Sequence, residues 1–99
     1  MYRVFWDAKA YQDLGEHLTF LKNVSPEAAK NLKRDVFSIA ESLSLFPERF
    51  PEISAPTGIA TTVRKCVIQK RYILLYGVEG ESIFVLRLLD ARKGFRFCL

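Results

Sequence analysis

The chain has 99 residues, a formal net charge of +4, 49% hydrophobic residues and 13% aromatic residues. This length and apolar content predict one domain over residues 1–99 with one hydrophobic core, and they exclude a second domain of ordinary size. The absence of an apolar run of about 18 residues excludes a membrane-spanning helix, and the first residues lack the features of a signal peptide, so we expect a cytoplasmic protein.

The N-terminal segment predicts a strand followed by a helix. Tyr2 to Trp6 is a short β-branched and aromatic run that is typical of a strand. Asp7 suits the N-cap of the next helix, because its carboxylate can accept a free N–H group of the first turn. Apolar residues then recur at intervals of three, four and three, which predicts one helical face. They are Tyr11, Leu14, Leu18 and Leu21.

The segment Ser25-Pro26-Glu27 predicts the start of a second helix, because serine caps well, proline suits the first helical position and glutamate favours the positive end. Pro47 is expected to end this helix. Only a few residues separate the two helices, which predicts an antiparallel hairpin. The apolar stripe of the second helix comprises Ala29, Leu32, Val36, Ile39, Leu43 and Phe46.

Beyond the helices the sequence predicts an irregular connection and then three strands. Pro47 to Gly58 contains three prolines and a glycine, which favours an irregular segment. The apolar period then changes to two, and short turns separate the apolar runs, so consecutive strands should be antiparallel neighbours. The strands are Thr61 to Gln69, Tyr72 to Val78 and Ser82 to Leu89, with turns at Lys70-Arg71 and Glu79-Gly80-Glu81.

These elements predict an α+β fold. It consists of an N-terminal strand, an antiparallel helix hairpin and a three-stranded antiparallel meander packed on the helices, with the first strand joining the meander. We expect much of the core to come from apolar residues between helices and sheet, namely Leu18, Leu32, Val36, Ile39, Leu43, Leu74, Tyr76, Val85 and Leu86.

Residues for metal or cofactor chemistry are scarce. His17 is the single histidine and is interpreted as a helix-surface or half-buried residue. Cys66 and Cys98 form no CxxC pair and are interpreted as free thiols, the first in the core and the second in the tail. With no P-loop and no GxGxxG pattern, we expect no metal and no cofactor. Glu48 and Glu52 give no reason to be paired as general acid and base.

The basic residues are unevenly distributed. Residues 1–58 carry seven Lys or Arg against eight Asp or Glu, whereas residues 59–99 carry eight against three. This asymmetry predicts a face for nucleic acid or for an acidic partner. The guanidinium group suits phosphate because it binds bidentately and keeps its charge. The candidate binding residues are Arg64, Arg71, Arg87, Arg92, Lys93 and Arg96, with Tyr72 and Tyr76 nearby.

A second interpretation of these arginines stays open. Lysines and arginines commonly protect exposed sheet edges. The same side chains could also pair with Asp90 and Glu79 and serve the fold alone.

The order of elements resembles the RelE/ParE superfamily of toxins over nearly the whole chain, from Tyr2 to about Arg92. The resemblance depends on the helix hairpin opened by Ser-Pro-Glu-Ala-Ala at 25–29 and on the helix end Leu-Ser-Leu-Phe-Pro at 43–47. Its most specific part is Arg64 followed by Tyr-Ile-Leu-Leu-Tyr at 72–76.

The resemblance implies one of two activities. RelE-like members cleave messenger RNA in the ribosome with several basic residues and often a C-terminal tyrosine, whereas ParE-like members act on DNA gyrase. Against the nuclease pattern, Arg64 matches a basic position of the second strand. The arginine of the third strand falls on Ile73, the arginine after the last strand on Ala91, or on Arg92 with a shift of one residue, and the tyrosine on Phe97 or Cys98.

We therefore favour a ParE-like toxin that inhibits a macromolecular target such as DNA gyrase and is neutralised by a cognate antitoxin. The first alternative is a RelE-like nuclease acting on ribosome-bound messenger RNA, in which Arg64 and Arg92 would be catalytic. The second is an inactive binding module of a toxin–antitoxin-like complex. The sequence is also compatible with a homodimer and predicts no membrane partner.

Overall fold

The computed structural model describes residues 1–53 and 62–93 and has an α+β architecture. Two antiparallel helices pack on one face of the sheet, as the sequence predicts. The sheet was expected to be antiparallel but is mixed, because the N-terminal strand pairs in parallel with the last strand. In chain order, the elements of these residues are β1 (Arg3–Trp6), α1 (Ala8–Val24), α2 (Pro26–Ser42), β2 (Glu52–Ile53), β3 (Thr62–Ile68), β4 (Tyr72–Glu79), β5 (Ser82–Asp90) and a 3₁₀ turn (Ala91–Lys93).

The strands form one sheet in the order β1-β5-β4-β3-β2. Strands β3, β4 and β5 are the expected antiparallel meander, and β1 joins it in parallel beside β5. The irregular connection expected from Pro47 to Gly58 is wrong at Glu52 and Ile53, which pair with Arg64 and Val63 of β3. A strand of two residues is too short to show an alternating pattern in the sequence. Residues 54–58 lie outside the described part.

The two turns of the meander differ in chemistry. Gly80 has a φ of 60°, which confirms the expected glycine turn between β4 and β5. The turn between β3 and β4 lies one residue earlier than expected: Gln69 and Lys70 have φ values of 56° and 57°. Neither residue is a glycine, so this left-handed pair costs on the order of 1–2 kcal/mol per residue. No glycine marks this turn in the sequence, which explains the misplacement.

A single residue, Ser25, links the two helices. Its backbone N–H donates to the carbonyl of Leu21 (2.6 Å) and ends α1. Its hydroxyl accepts the N–H of Ala28 (3.2 Å) and caps α2. At the start of α1, the Asp7 carboxylate accepts the N–H of Lys9 (3.1 Å), which confirms the predicted N-cap.

Helix α2 ends earlier than the sequence predicts. Its last residue is Ser42, and Phe46 at the end of the expected stripe is 63% exposed. The hydroxyl of Ser42 donates to the carbonyl of Ile39 (2.7 Å), and that of Ser44 donates to Glu41 (2.8 Å). These side chains satisfy carbonyls of the last turn and compete with a continued helix.

The main core lies between the helices and one face of the sheet. Most expected residues are buried there: Leu32, Val36, Leu43, Leu74, Tyr76 and Val85, with Leu18 and Ile39 partly buried. Tyr11 of the predicted α1 stripe is instead half-exposed and stacks on Trp6.

Leu86 was expected in this main core and lies instead with Val63, Ile73 and Leu75 on the opposite face of the sheet. Successive strand residues point to opposite faces, and Val85 faces the main core, so Leu86 faces away from it. A β-bulge follows, since Tyr76 pairs with Val85 but Leu75 with Arg87, and Leu86 is the extra residue. The bulge makes Leu88 the next residue that faces the main core.

After the bulge, side chains of α1 bind the backbone edge of β5 that β1 does not reach. The Asp13 carboxylate accepts the backbone N–H of Leu88 (2.9 Å) and two bonds from the Arg87 guanidinium (2.7 and 3.1 Å). One helical turn later, Nε2 of His17 lies 2.9 Å from the Leu88 carbonyl. A carbonyl only accepts, so this nitrogen carries the proton. His17 is half-buried, as expected, but its ring lies against the sheet.

We expect Asp13→Ala to destabilise the fold by about 3 kcal/mol, because it leaves Arg87 without this carboxylate and frees a buried N–H of Leu88. The neighbouring exposed change Gln12→Ala is the control and should stay within about 0.5 kcal/mol of the parent. Urea unfolding followed by circular dichroism measures both. Equal stability of the two variants would contradict a structural role for this bridge.

Candidate functional site

Arg64, the predicted phosphate-binding residue of β3, is held within the fold. Its guanidinium donates to the carbonyls of Phe50 (2.7 Å) and Glu48 (3.3 Å) and to the Glu52 carboxylate (3.1 Å). Its side chain is only 15% exposed. These three acceptors occupy much of its donor fork and fasten the segment before β2 onto β3. A phosphate at this position would have to compete with them.

The two tyrosines expected near the phosphate-contacting surface are buried, so neither ring forms part of an open surface. Tyr72 and Tyr76 are 2% and 0% exposed. The Tyr76 hydroxyl donates to the carbonyl of Pro47 (2.8 Å) and, with Arg64, holds the chain after α2. Burial, more than any other influence, raises the pKa of Tyr76 above its usual value.

Asp90 brings Arg71 and Arg92 together at the end of β5. Its carboxylate lies 3.4 Å from Arg71 Nη2 and 3.5 Å from Arg92 Nε, and it accepts the backbone N–H of Arg92 (2.9 Å). Arg71 also lies over the ring of Tyr72, 5.0 Å from its centroid. The interpretation that arginines pair with Asp90 therefore holds for two of them. The side chain of Arg92 is 63% exposed.

Burial alone would raise the pKa of Asp90. Hydrogen bonds from the backbone and side chain of Arg92, together with the charge of Arg71, outweigh that effect and hold the pKa below its usual value. The carboxylate is thus kept ionised although its side chain is only 3% exposed.

The remaining candidates do not converge on this cluster. Arg87 lies three residues before Asp90 in β5 and bridges to Asp13 instead. The backbone of Lys93 belongs to the 3₁₀ turn after β5, and Arg96 lies outside the described residues. Sequence analysis missed the hydrogen bond between Asp13 and Leu88, because no local pattern predicts a contact between two residues that are 75 positions apart.

An open apolar groove of about 700 Å³ runs along the outer edge of β1. Backbone N–H groups of Arg3 and Asp7 donate to β5, so the alternate residues Val4 and Trp6 direct their backbone groups to the free edge. No described strand covers that edge. The apolar side chains of the groove come from β1, α2 and their neighbours: Met1, Tyr2, Val4, Trp6, Phe37, Ala40 and Leu45.

Cys66 is buried, as expected, and burial raises the pKa of its thiol. Cys98 lies outside the described part. Residues 1–53 and 62–93 contain no group of three or more metal-ligating side chains. No helix of these residues is long and apolar enough to cross a membrane.

Comparisons with known proteins identify the fold. A family model for the ParE toxin of type II toxin–antitoxin systems, parDE, matches residues 4–95. A solved structure described as the chromosomal ParDE TA system from P. aeruginosa superposes with a TM-score of 0.69 at 21% identity. The match covers 91% of this chain and 96% of that one. No curated protein matches the sequence.

The depressed pKa of Asp90 predicts a pH-dependent contribution to stability. The contribution is present above the pKa of an unfolded aspartate, about 3.9, and is lost as the pH falls through the lower folded value. The difference in unfolding free energy between the parent and Asp90→Asn should therefore be largest above about pH 4 and shrink on acidification. Urea unfolding at a series of pH values tests this. A difference independent of pH would refute it.

Proposed function

This chain belongs to the ParE toxin family of type II toxin–antitoxin systems, and we propose on that premise that it inhibits DNA gyrase and is held inactive by a partner antitoxin. The proposal places its action in the cytoplasm, where its target would be. Whether it forms a homodimer remains a prediction.

The position of Arg64 is the observation that most favours gyrase over messenger RNA. A nuclease must bring cations to the developing charge of the scissile phosphate and a base to the attacking hydroxyl. Arg64 instead has three acceptors inside the fold, and the position of the third-strand arginine is the buried Ile73. Arg92, the other candidate, does not join Arg64, because Arg64 lies opposite Tyr76 in the sheet whereas Asp90, the partner of Arg92, lies opposite Tyr72. The described residues thus offer little for RNA cleavage, which supports action on a protein target.

We expect the purified chain to inhibit supercoiling by gyrase and to leave ribosome-bound messenger RNA intact. Supercoiling is measured on relaxed plasmid, and cleavage is measured by primer extension on a translated message. Addition of the antitoxin to the same reaction is the control and should restore supercoiling. Codon-dependent cleavage with unchanged gyrase activity would move the chain to the nuclease branch. Inactivity in both assays would favour the inactive binding module.

The groove beside β1 is the surface best suited to the antitoxin. It combines apolar side chains with the unpaired backbone edge of Val4 and Trp6, so it can accept both an apolar face and an added strand. Phe5 extends the apolar surface to the other side of β1, where it is 44% exposed and stacks on Phe84. A partner here would bury side chains that the chain alone leaves in water.

Substitution of Ser38 in this groove tests the assignment. Ser38→Arg adds a long charged side chain at an exposed position of α2 and should weaken antitoxin binding about tenfold or more, which corresponds to about 1.4 kcal/mol. Gln12→Arg adds the same side chain at an exposed position of α1 outside the groove and should bind normally. Isothermal titration calorimetry gives both affinities. Equal affinities would exclude this groove.

A further inference from the structure

A second, smaller cavity of about 130 Å³ lies where the C-terminal half of α1 crosses the ends of β4 and β5. Its lining comes from both layers of the fold: Glu16, His17 and Phe20 from α1, Arg71 and Tyr72 from the turn into β4, and Asp90 and Arg92 from the end of β5 and the 3₁₀ turn after it.

The two arginines of this cavity are held by one carboxylate. Both ion pairs are long, 3.4 Å from Arg71 and 3.5 Å from Arg92, and each guanidinium has further N–H groups to offer. Two guanidinium groups against Asp90 leave an excess of one positive charge. Glu16 also lines the cavity, but it is exposed, so water and salt screen its charge.

One N–H group of Arg71 lacks an acceptor among the described residues. Its Nε is buried and has no hydrogen-bond partner among them. A buried donor without an acceptor has lost its bond to water and gained none in exchange, which is unfavourable. An acceptor bound in the cavity beside Arg71 would remove that cost.

Tyr72 supplies a further donor. It is 98% buried, and its hydroxyl makes no hydrogen bond to any residue of the described part. Burial raises the pKa of this phenol, so the proton stays in place at neutral pH. The ring of Tyr72 packs edge-to-face with the ring of His17 (5.1 Å between centroids) and lies under the Arg71 guanidinium (5.0 Å). His17 is itself fixed by its bond to the Leu88 carbonyl.

We propose that this cavity binds a single phosphate group, paired with the guanidinium groups of Arg71 and Arg92 and hydrogen-bonded by the Tyr72 hydroxyl. Planar guanidinium forks suit phosphate oxygens, and three donor side chains from two neighbouring segments can surround a tetrahedral anion. The half-exposed Phe20 at the lining leaves room for a group attached to the phosphate. This site does not depend on the proposed action on gyrase.

Titration of the full chain with inorganic phosphate, at ionic strength held constant with chloride, tests the proposal by calorimetry and by NMR of the arginine Nε–H signals. Saturable binding that shifts the Arg71 Nε–H signal is expected. Arg71→Gln should weaken it about 10- to 100-fold, since hydrogen bonds to charged groups contribute about 1.5–3 kcal/mol. Tyr72→Phe keeps the ring and should weaken it several-fold. Arg34→Gln, at a surface pair on α2, is the matched control and should bind like the parent.

A nucleoside 5′-monophosphate identifies the source of the phosphate. Equal or tighter binding than inorganic phosphate, with shifted Phe20 signals, would indicate a phosphate carried by a larger molecule, whereas binding of inorganic phosphate alone would indicate the free anion. Both results support a phosphate site. Thermal unfolding of each variant checks the fold, and Tyr72→Phe remains informative if Arg71→Gln does not fold. Absence of saturable binding, or equal weakening by Arg34→Gln, would overturn the proposal.

Discussion

The backbone of Leu88 is the point on which the two layers of this fold depend. Strand β5 has nine residues but β1 has four, so half of the β5 edge has no strand beside it. Asp13 and His17, one turn apart on α1, bind the N–H and carbonyl that the edge would otherwise leave free. An uncovered edge is costly and invites pairing with other chains. The same two bonds fix the position of α1 along the sheet, and with it the wall of the small cavity.

Contacts within the fold explain many of the arginines in the basic C-terminal part. A surplus of arginine in a sequence indicates an anion-binding surface only if the side chains are free. Arg64 fastens the segment before β2, and Arg87 bridges β5 to α1 through Asp13. Arg71 and Arg92 meet at Asp90. Much of the positive charge therefore stabilises the fold. Side chains that remain able to bind a ligand or a partner lie in the small cavity at Asp90 and in the apolar groove beside β1.

The sequence predicts what depends on local pattern. The helix stripes apart from Tyr11 and Phe46, the caps at Asp7 and Ser25, and the glycine turn at Gly80 are confirmed, because periodicity and backbone preferences act over a few residues. It fails where distant residues decide. The β-bulge at Leu86 and the turn at Gln69 and Lys70 have no local signal in the sequence. The residues next to Arg64 and Asp13 in the sequence likewise give no indication of their hydrogen-bond partners.

The connection through Ser25 is too short to let one helix rotate independently of the other. One residue ends α1 and begins α2, so the rotational phase of the second helix is set by the first. An inserted residue would turn α2 by about 100° about its own axis, given about 3.6 residues per turn. That rotation would carry Leu32 and Val36, both fully buried, away from the sheet. Among relatives of this chain, length variation should therefore be tolerated in the connection after α2 and be rare at the tip of the hairpin.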